Sequence, residues 1–165
     1  MQVMDDRQIQ HGREWLEQLL HLSGLASQVQ VDSSKLSSEG SCWLTIEDSG
    51  LTQEQVNSLI GEGGSSLDAI QYLANTTLNL GQPEDMQIAY TVELAGYRVR
   101  RQAELQAMAE EAVEHVRTTG DEYEIASLSS AERRQVHTYL KAYEDLETYS
   151  RGKEPDRRLV VRPIQ

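Results

Sequence analysis

Apolar positions along the first half of the chain change period several times, and each change predicts an element. Ile9, Leu16, Leu19 and Leu20 recur at helical spacing until Ser23-Gly24, which predicts a helix from Ile9 to Leu22. Gln28 to Asp32 and Cys42 to Glu47 are short alternating runs, expected to form a hairpin joined by a mobile polar loop from Ser33 to Ser41. Thr52 followed by Gln55 is a capping-box pattern, and Val56, Leu59 and Ile60 give the next helix a short apolar face that stops at Gly61. Ser65 is expected to cap a third helix with Leu67, Ile70, Leu73 and Ala74 on its buried side, ending before Gly81-Gln82-Pro83. Met86, Ile88, Tyr90, Val92 and Leu94 then alternate with other residues, the cleanest strand signal in the chain. Residues 1–95 therefore read α-β-β-α-α-β.

Beyond Gly96 a long helix is predicted from Tyr97 to Arg117, with Leu105, Met108, Ala109, Ala112, Val113 and Val116 on one face. Short strands follow at Glu122 to Ala126, Leu146 to Ser150 and Leu159 to Val161, the last two flanking Gly152-Lys153-Glu154-Pro155. Between them Ser129 and Glu132 form a second capping box ahead of a helix carrying Val136, Tyr139, Leu140 and Tyr143. The fold class is α+β in two domains, residues 1–95 and 96–165, the second having helices packed on a small β-sheet.

Composition narrows the chemistry. Phe is absent, so Leu, Ile, Val and Ala must supply most of the core. The one cysteine, Cys42, excludes an intrachain disulfide and leaves no cysteine pair for zinc. No apolar run approaches the roughly 20 residues that span a bilayer, so a soluble cytoplasmic protein without membrane insertion is expected. The four histidines have no metal-site spacing, no serine sits in a nucleophile elbow, and residues 61–64 lack the Lys-Ser/Thr ending of a P-loop. Neither an enzymatic site nor a metal or cofactor is expected. The net charge of -12 is unevenly spread: residues 1–95 hold 3 basic and 14 acidic side chains, whereas residues 130–165 hold 8 and 6.

Gly61-Glu62-Gly63-Gly64 joins two predicted helices as Gly-x-x-Gly. Such a loop serves as a plain helix-to-helix turn, or it lets the backbone approach a phosphodiester with helix-terminal amides facing the anion. In its α-β-β-α-α-β setting the segment resembles a type II KH domain, whose loop clamps a single strand of nucleic acid. The similarity is greatest to the KH domain of the bacterial Jag family, across Leu59-Ile60-Gly61 and Gly64 to Leu73. That family commonly has a basic residue in the middle of the loop; Glu62 here opposes phosphate.

Arg133 and His137 stand four residues apart, expected to share one exposed helical face while Val136 and Leu140 point into the core. A solvated face with a nearby histidine is the plain reading of the pair. The run Ser130 to His137, with Glu147-Thr148-Tyr149-Ser150, Gly152, Glu154-Pro155 and Arg157 to Val161, resembles the family named for its Arg-x-x-x-His motif, the R-three-H domain. The resemblance places Arg133 and His137 on a surface for single-stranded nucleic acid; the guanidiniums of Arg133 and Arg134 are expected to grip phosphate or stack on bases, and Arg151, Lys153, Arg157 and Arg158 to widen the patch if the closing hairpin brings them beside the helix. Arg98, Arg100 and Arg101 form a second cluster, read equally as ordinary helix solvation or as RNA contact.

A KH domain followed by an R-three-H domain is the pairing found in the Jag family, and the likeness covers residues 10 to 162. The family's frequent extra N-terminal domain is expected to have no counterpart, since the first predicted helix begins within the first ten residues. The resemblance implies an RNA-binding regulator of bacterial cell envelope or division functions, with single-stranded RNA or single-stranded DNA as ligand. It also implies a small KH protein, or a second copy, as partner. The rival is a KH-mediated dimerisation or interaction scaffold with little RNA affinity in its first domain, favoured by overall charge and Glu62.

Overall fold

The computed structural model describes residues 6–164, which form two compact units divided between Arg98 and Val99. Each unit has its own apolar core and its own three-stranded sheet.

In the first unit the elements are α1 (Asp6–Leu22), β1 (Val29–Asp32), α2 (Lys35–Glu39), β2 (Cys42–Ile46), α3 (Gln53–Ile60), α4 (Ser65–Leu78) and β3 (Tyr90–Leu94). The sheet order is β1-β2-β3, with β1 antiparallel and β3 parallel to β2. Cys42, Leu44 and Ile46 alternate toward the helices and pack with Leu16, Leu20, Val92 and Leu94 in the core. The loop expected between the first two strands contains the single-turn helix α2, closed by Gly40 in the left-handed region at φ 70°. β1 is an edge strand whose outward groups at Val29 are satisfied by α1: its N–H donates to Glu17 at 3.0 Å and its carbonyl accepts from Arg13 at 3.0 Å.

Three expectations in this unit need correction. Leu73 is 47% exposed, because the stripe that faces the core is Leu67, Ile70, Ala74 and Leu78 and Leu73 lies beside it. Ser65 does not cap α4; Gly64 takes the N-cap position and contributes no side-chain bond. The strand predicted from Met86 begins only at Tyr90, where its pairing with Cys42 begins. Ile88 is buried as the alternation requires, yet its backbone is held by a side chain: Asn79 accepts from Ile88 N–H at 2.9 Å and donates to its carbonyl at 2.8 Å. Asn75 does the same for Tyr90.

The second unit continues α5 (Tyr97–Thr119) and adds β4 (Tyr123–Ile125), α6 (Ser130–Leu140), β5 (Leu146–Arg151) and β6 (Arg158–Pro163). Its sheet is antiparallel in the order β4-β6-β5. Leu159 and Val161 point with Ile125 and Leu146 into a core completed by Leu105, Ala112 and Val116 of α5 and Val136 and Leu140 of α6. Both capping boxes form as expected, at Thr52 with Gln55 and at Ser129 with Glu132. Glu132 also accepts from Arg101 at 2.7 Å, which ties the start of α6 to α5. Among the described residues no helix is long and apolar enough to cross a membrane, and no group of three or more His, Cys, Asp or Glu could hold a metal ion.

Candidate functional site

The β5–β6 register sorts the basic residues of the second unit onto two faces. Ser150 pairs with Leu159 and Thr148 with Val161, so Thr148 and Ser150 share the face whose apolar members pack on the helices. Arg151 pairs with Arg158, and Tyr149 with Val160, so these side chains point the other way. Beside α6 the first face opens into a cleft of about 370 Å³ lined by Ser130, Arg133, Arg134, His137, Thr148, Tyr149, Ser150, Arg157 and Leu159. That volume lies at the lower end of the range for ligand sites.

Arg134 and Arg157 are exposed and are the two cations that the cleft presents to solvent. His137 is half-buried, and its Nδ1 is hydrogen-bonded to the hydroxyl of Thr148. Arg133 is not on the exposed face expected from its i, i+4 spacing with His137: it is 5% exposed and lines the cleft. Its Nη1 donates to the carbonyls of Leu128 at 2.8 Å and Arg157 at 3.3 Å, and its Nη2 donates to Ser130 Oγ at 3.0 Å and pairs with Glu154. The physical reason is helical phase: Arg133, Val136 and Leu140 recur at i, i+3 and i+7 and form the buried stripe of α6.

Arg151 and Arg158 do not widen this cleft. On the opposite face Arg151 pairs with Glu122 and Glu124, and Arg158 with Glu124 and Asp156. The bonds from Arg151 hold the Glu122 carboxyl below its ordinary value, and those from Arg151 and Arg158 do the same to Glu124. The guanidinium of Arg151 is raised by the same partners, so this face is a mutually neutralised network. Tyr149 is part of it, donating its hydroxyl to Glu122 and lying under Arg151 and Arg162. Lys153 is exposed in the β5–β6 turn and does not line the cleft. Of the second basic cluster, Arg98 pairs with Asp68, and Arg101 with Glu104 and Glu132.

The glycine loop lies in the first unit. Gly61 ends α3 with its N–H on Asn57 and a φ of 74°, and Glu62 to Gly64 make one tight turn before α4. A Cβ at Gly61 would meet Ser66 N at 2.7 Å, and one at Gly64 would meet Cε1 of Tyr97 at 2.7 Å. Gly63 faces open space but has a φ of 59°. Packing and backbone conformation thus account for all three glycines, and Glu62 is exposed at the tip.

Ser130, Thr148 and Ser150, which line the cleft, were not picked out as site residues by sequence reasoning. The alternation Leu146, Thr148, Ser150 carried the signal, since it continues the core-facing side of β5 in polar residues toward the strand's end.

Residues 103–163 match the family model for the R-three-H domain. Three curated relatives carry the name RNA-binding protein KhpB. That of Clostridium symbiosum is 27% identical over 148 residues, covering 90% of this chain and 63% of that protein. The Lactiplantibacillus plantarum protein is 32% identical over 103 residues, covering 62% and 31%. The Bacillus subtilis protein is 30% identical over 115 residues, covering 67% and 53%. The chain thus spans from about a third to just under two thirds of the length of these relatives. The protein thus contains an R-three-H domain and is similar over most of its length to proteins named for RNA binding.

Proposed function

We propose that the protein binds RNA, as the names of its relatives say of them, and that it takes a single strand in the cleft between α6 and β5. The single observation that carries this reading is the convergence there of exposed Arg134 and Arg157 with His137, Ser130, Thr148 and Ser150. Two guanidiniums supply phosphate contacts or stacking planes, the imidazole a further ring or polar contact, and the hydroxyls short-range polar contacts to sugar and phosphate. By contrast, the basic residues on the far side of the sheet are held by acidic partners and offer a strand no net positive charge.

The first unit is read as a KH domain of the type II arrangement. Its order α-β-β-α-α-β, with α2 added in the first loop, and its mixed sheet support that reading. The first turn of α4 has no side-chain cap, but its leading Ser65 N–H is already bonded to the Glu62 carbonyl and the Glu62 carboxylate stands at the same tip. The glycine loop is therefore the weaker of the two contacts. A second reading for this unit, protein pairing with little RNA affinity, is favoured by its charge and by Tyr72 and Leu73, which are 71% and 47% exposed on α4. A partner with a less acidic surface meets less repulsion there than a second copy of this chain.

Backbone and side-chain NMR of the full chain titrated with a short single-stranded oligoribonucleotide tests the reading. Shifts are expected at Arg134, His137, Thr148, Ser150 and Arg157, with smaller ones at residues 61–65. Shifts confined to the opposite face, around Glu122 and Arg151, would overturn it.

A further inference from the structure

Arg133 has the side chain of a phosphate ligand in the setting of a structural group. Its side chain is 6% exposed, and both terminal nitrogens are spent on acceptors of the protein itself. Those acceptors come from three places: Leu128 before α6, Ser130 at its start, and Glu154 and Arg157 in the turn between β5 and β6. A buried guanidinium committed in this way has little left to offer an incoming phosphate. What it does hold is the turn, whose own closure is tight. Asp156 N–H donates to the Lys153 carbonyl at 3.0 Å, and a Cβ at Gly152, where φ is 88°, would lie 3.0 Å from the Asp156 carbonyl.

We propose that Arg133 and Glu154 form a clasp that positions Arg157, so that the arginine of the Arg-x-x-x-His motif organises the site and Arg157 touches the nucleic acid. This rests on the reading that the cleft takes a single strand. Arg133 bonds the peptide carbonyl of Arg157 directly, and through Glu154 it fixes the turn three residues upstream. The exposed Arg157 side chain then stands at the rim of the cleft beside Arg134.

The carboxylate of Glu154 makes the clasp testable, because its two conceivable roles have opposite signs. As a free anion near the cleft it would repel RNA, and its removal would tighten binding. As half of the clasp it holds Arg157 in place, and its removal weakens binding. Its bond to Arg133, and that of Arg133 to the Arg157 peptide, favour the second.

The test compares the full chain with Glu154→Ala, Arg157→Ala and the double variant, by fluorescence anisotropy on a labelled single-stranded oligoribonucleotide over a range of salt, alongside thermal unfolding. Arg157→Ala is expected to bind roughly tenfold more weakly, with a salt slope lower by about 0.7. Glu154→Ala should lose a similar factor, and the double variant should be no weaker than Arg157→Ala alone, because the two changes remove one contact. Glu154→Gln keeps an oxygen acceptor for Arg133 and is expected to recover most of the affinity at an unchanged melting temperature. Tighter binding by Glu154→Ala, no change, or losses that multiply in the double variant would each overturn the clasp. If Arg134→Ala and Arg157→Ala both bind like the parent protein, the cleft is not the interface, and the functional reading fails with the clasp.

Discussion

The imidazole of His137 and the hydroxyl of Thr148 are joined by a hydrogen bond from α6 to β5, made at Nδ1 of the ring. The ring's orientation is thus set by a residue eleven positions away. Thr148→Val removes the hydroxyl at nearly constant volume. It is expected to weaken RNA binding several-fold while the melting temperature changes little, since the pair is only half-buried. His137→Ala should lose at least as much affinity, again in a folded protein. A destabilised His137→Ala protein with parental affinity would show that the ring is a packing element only.

Arg133→Ala should behave as a stability variant. It leaves the Leu128 carbonyl without its donor in the core and releases the β5–β6 turn, at a cost of about 2–4 kcal/mol. Arg134→Ala, one residue on and exposed, should cost less than about 0.5 kcal/mol. Urea denaturation of both variants checks this. Equal stabilities would contradict the burial of Arg133.

Two of the three loop glycines should separate in a similar way. Gly64→Ala drives a methyl into the Tyr97 ring at a φ of 81° and is expected to destabilise the first unit by about 2 kcal/mol or more. Gly63→Ala meets open space and incurs only the left-handed backbone cost, about 1 kcal/mol. If Gly63→Ala proved the more damaging to stability, the close approach of Tyr97 to Gly64 would not be the constraint.

Acid should dissolve the charge network on the outer face of the second sheet. Hydrogen bonds from Arg151 lower Glu122, and those from Arg151 and Arg158 lower Glu124. A lowered carboxyl stabilises the fold fully above its unfolded value, 4.5 for Glu, and loses that contribution as pH falls through the folded value. The stability difference between the parent protein and Arg151→Ala is therefore expected at pH 7 and should close below about pH 4.5. Denaturation midpoints at pH 7, 5 and 3 measure it, and a difference undiminished at pH 3 would contradict the pairing.

Much of the architecture was legible because each local signal agreed with the packing. Thr52 and Ser129 announced their helices through capping boxes, and Val92 and Leu94 alternated as the buried strand they occupy. The start of β3 was not legible, because it depends on where β2 begins and on Asn75 and Asn79 taking a strand's place. At the site, the i, i+4 spacing of Arg133 and His137 reads as one exposed face, whereas Arg133 falls on the i, i+3, i+7 stripe with Val136 and Leu140, and the acceptors at Leu128 and Glu154 explain how its charge is housed. Arg151 and Arg158 looked like part of the patch because composition has no faces. Their separation from Arg134 and Arg157 follows from the β5–β6 register, which fixes which side of the sheet each side chain takes.

That separation gives the most direct test of the central claim, that RNA lies against one face of the second unit. Affinity for a single-stranded oligoribonucleotide is measured against salt concentration for the full chain and for Arg134→Ala and Arg151→Ala, which remove the same charge from opposite faces. Arg134→Ala is predicted to weaken binding and lower the salt slope by about 0.7, while Arg151→Ala leaves both near the parental values. Equal losses from the two variants, or a loss from Arg151→Ala alone, would contradict the account.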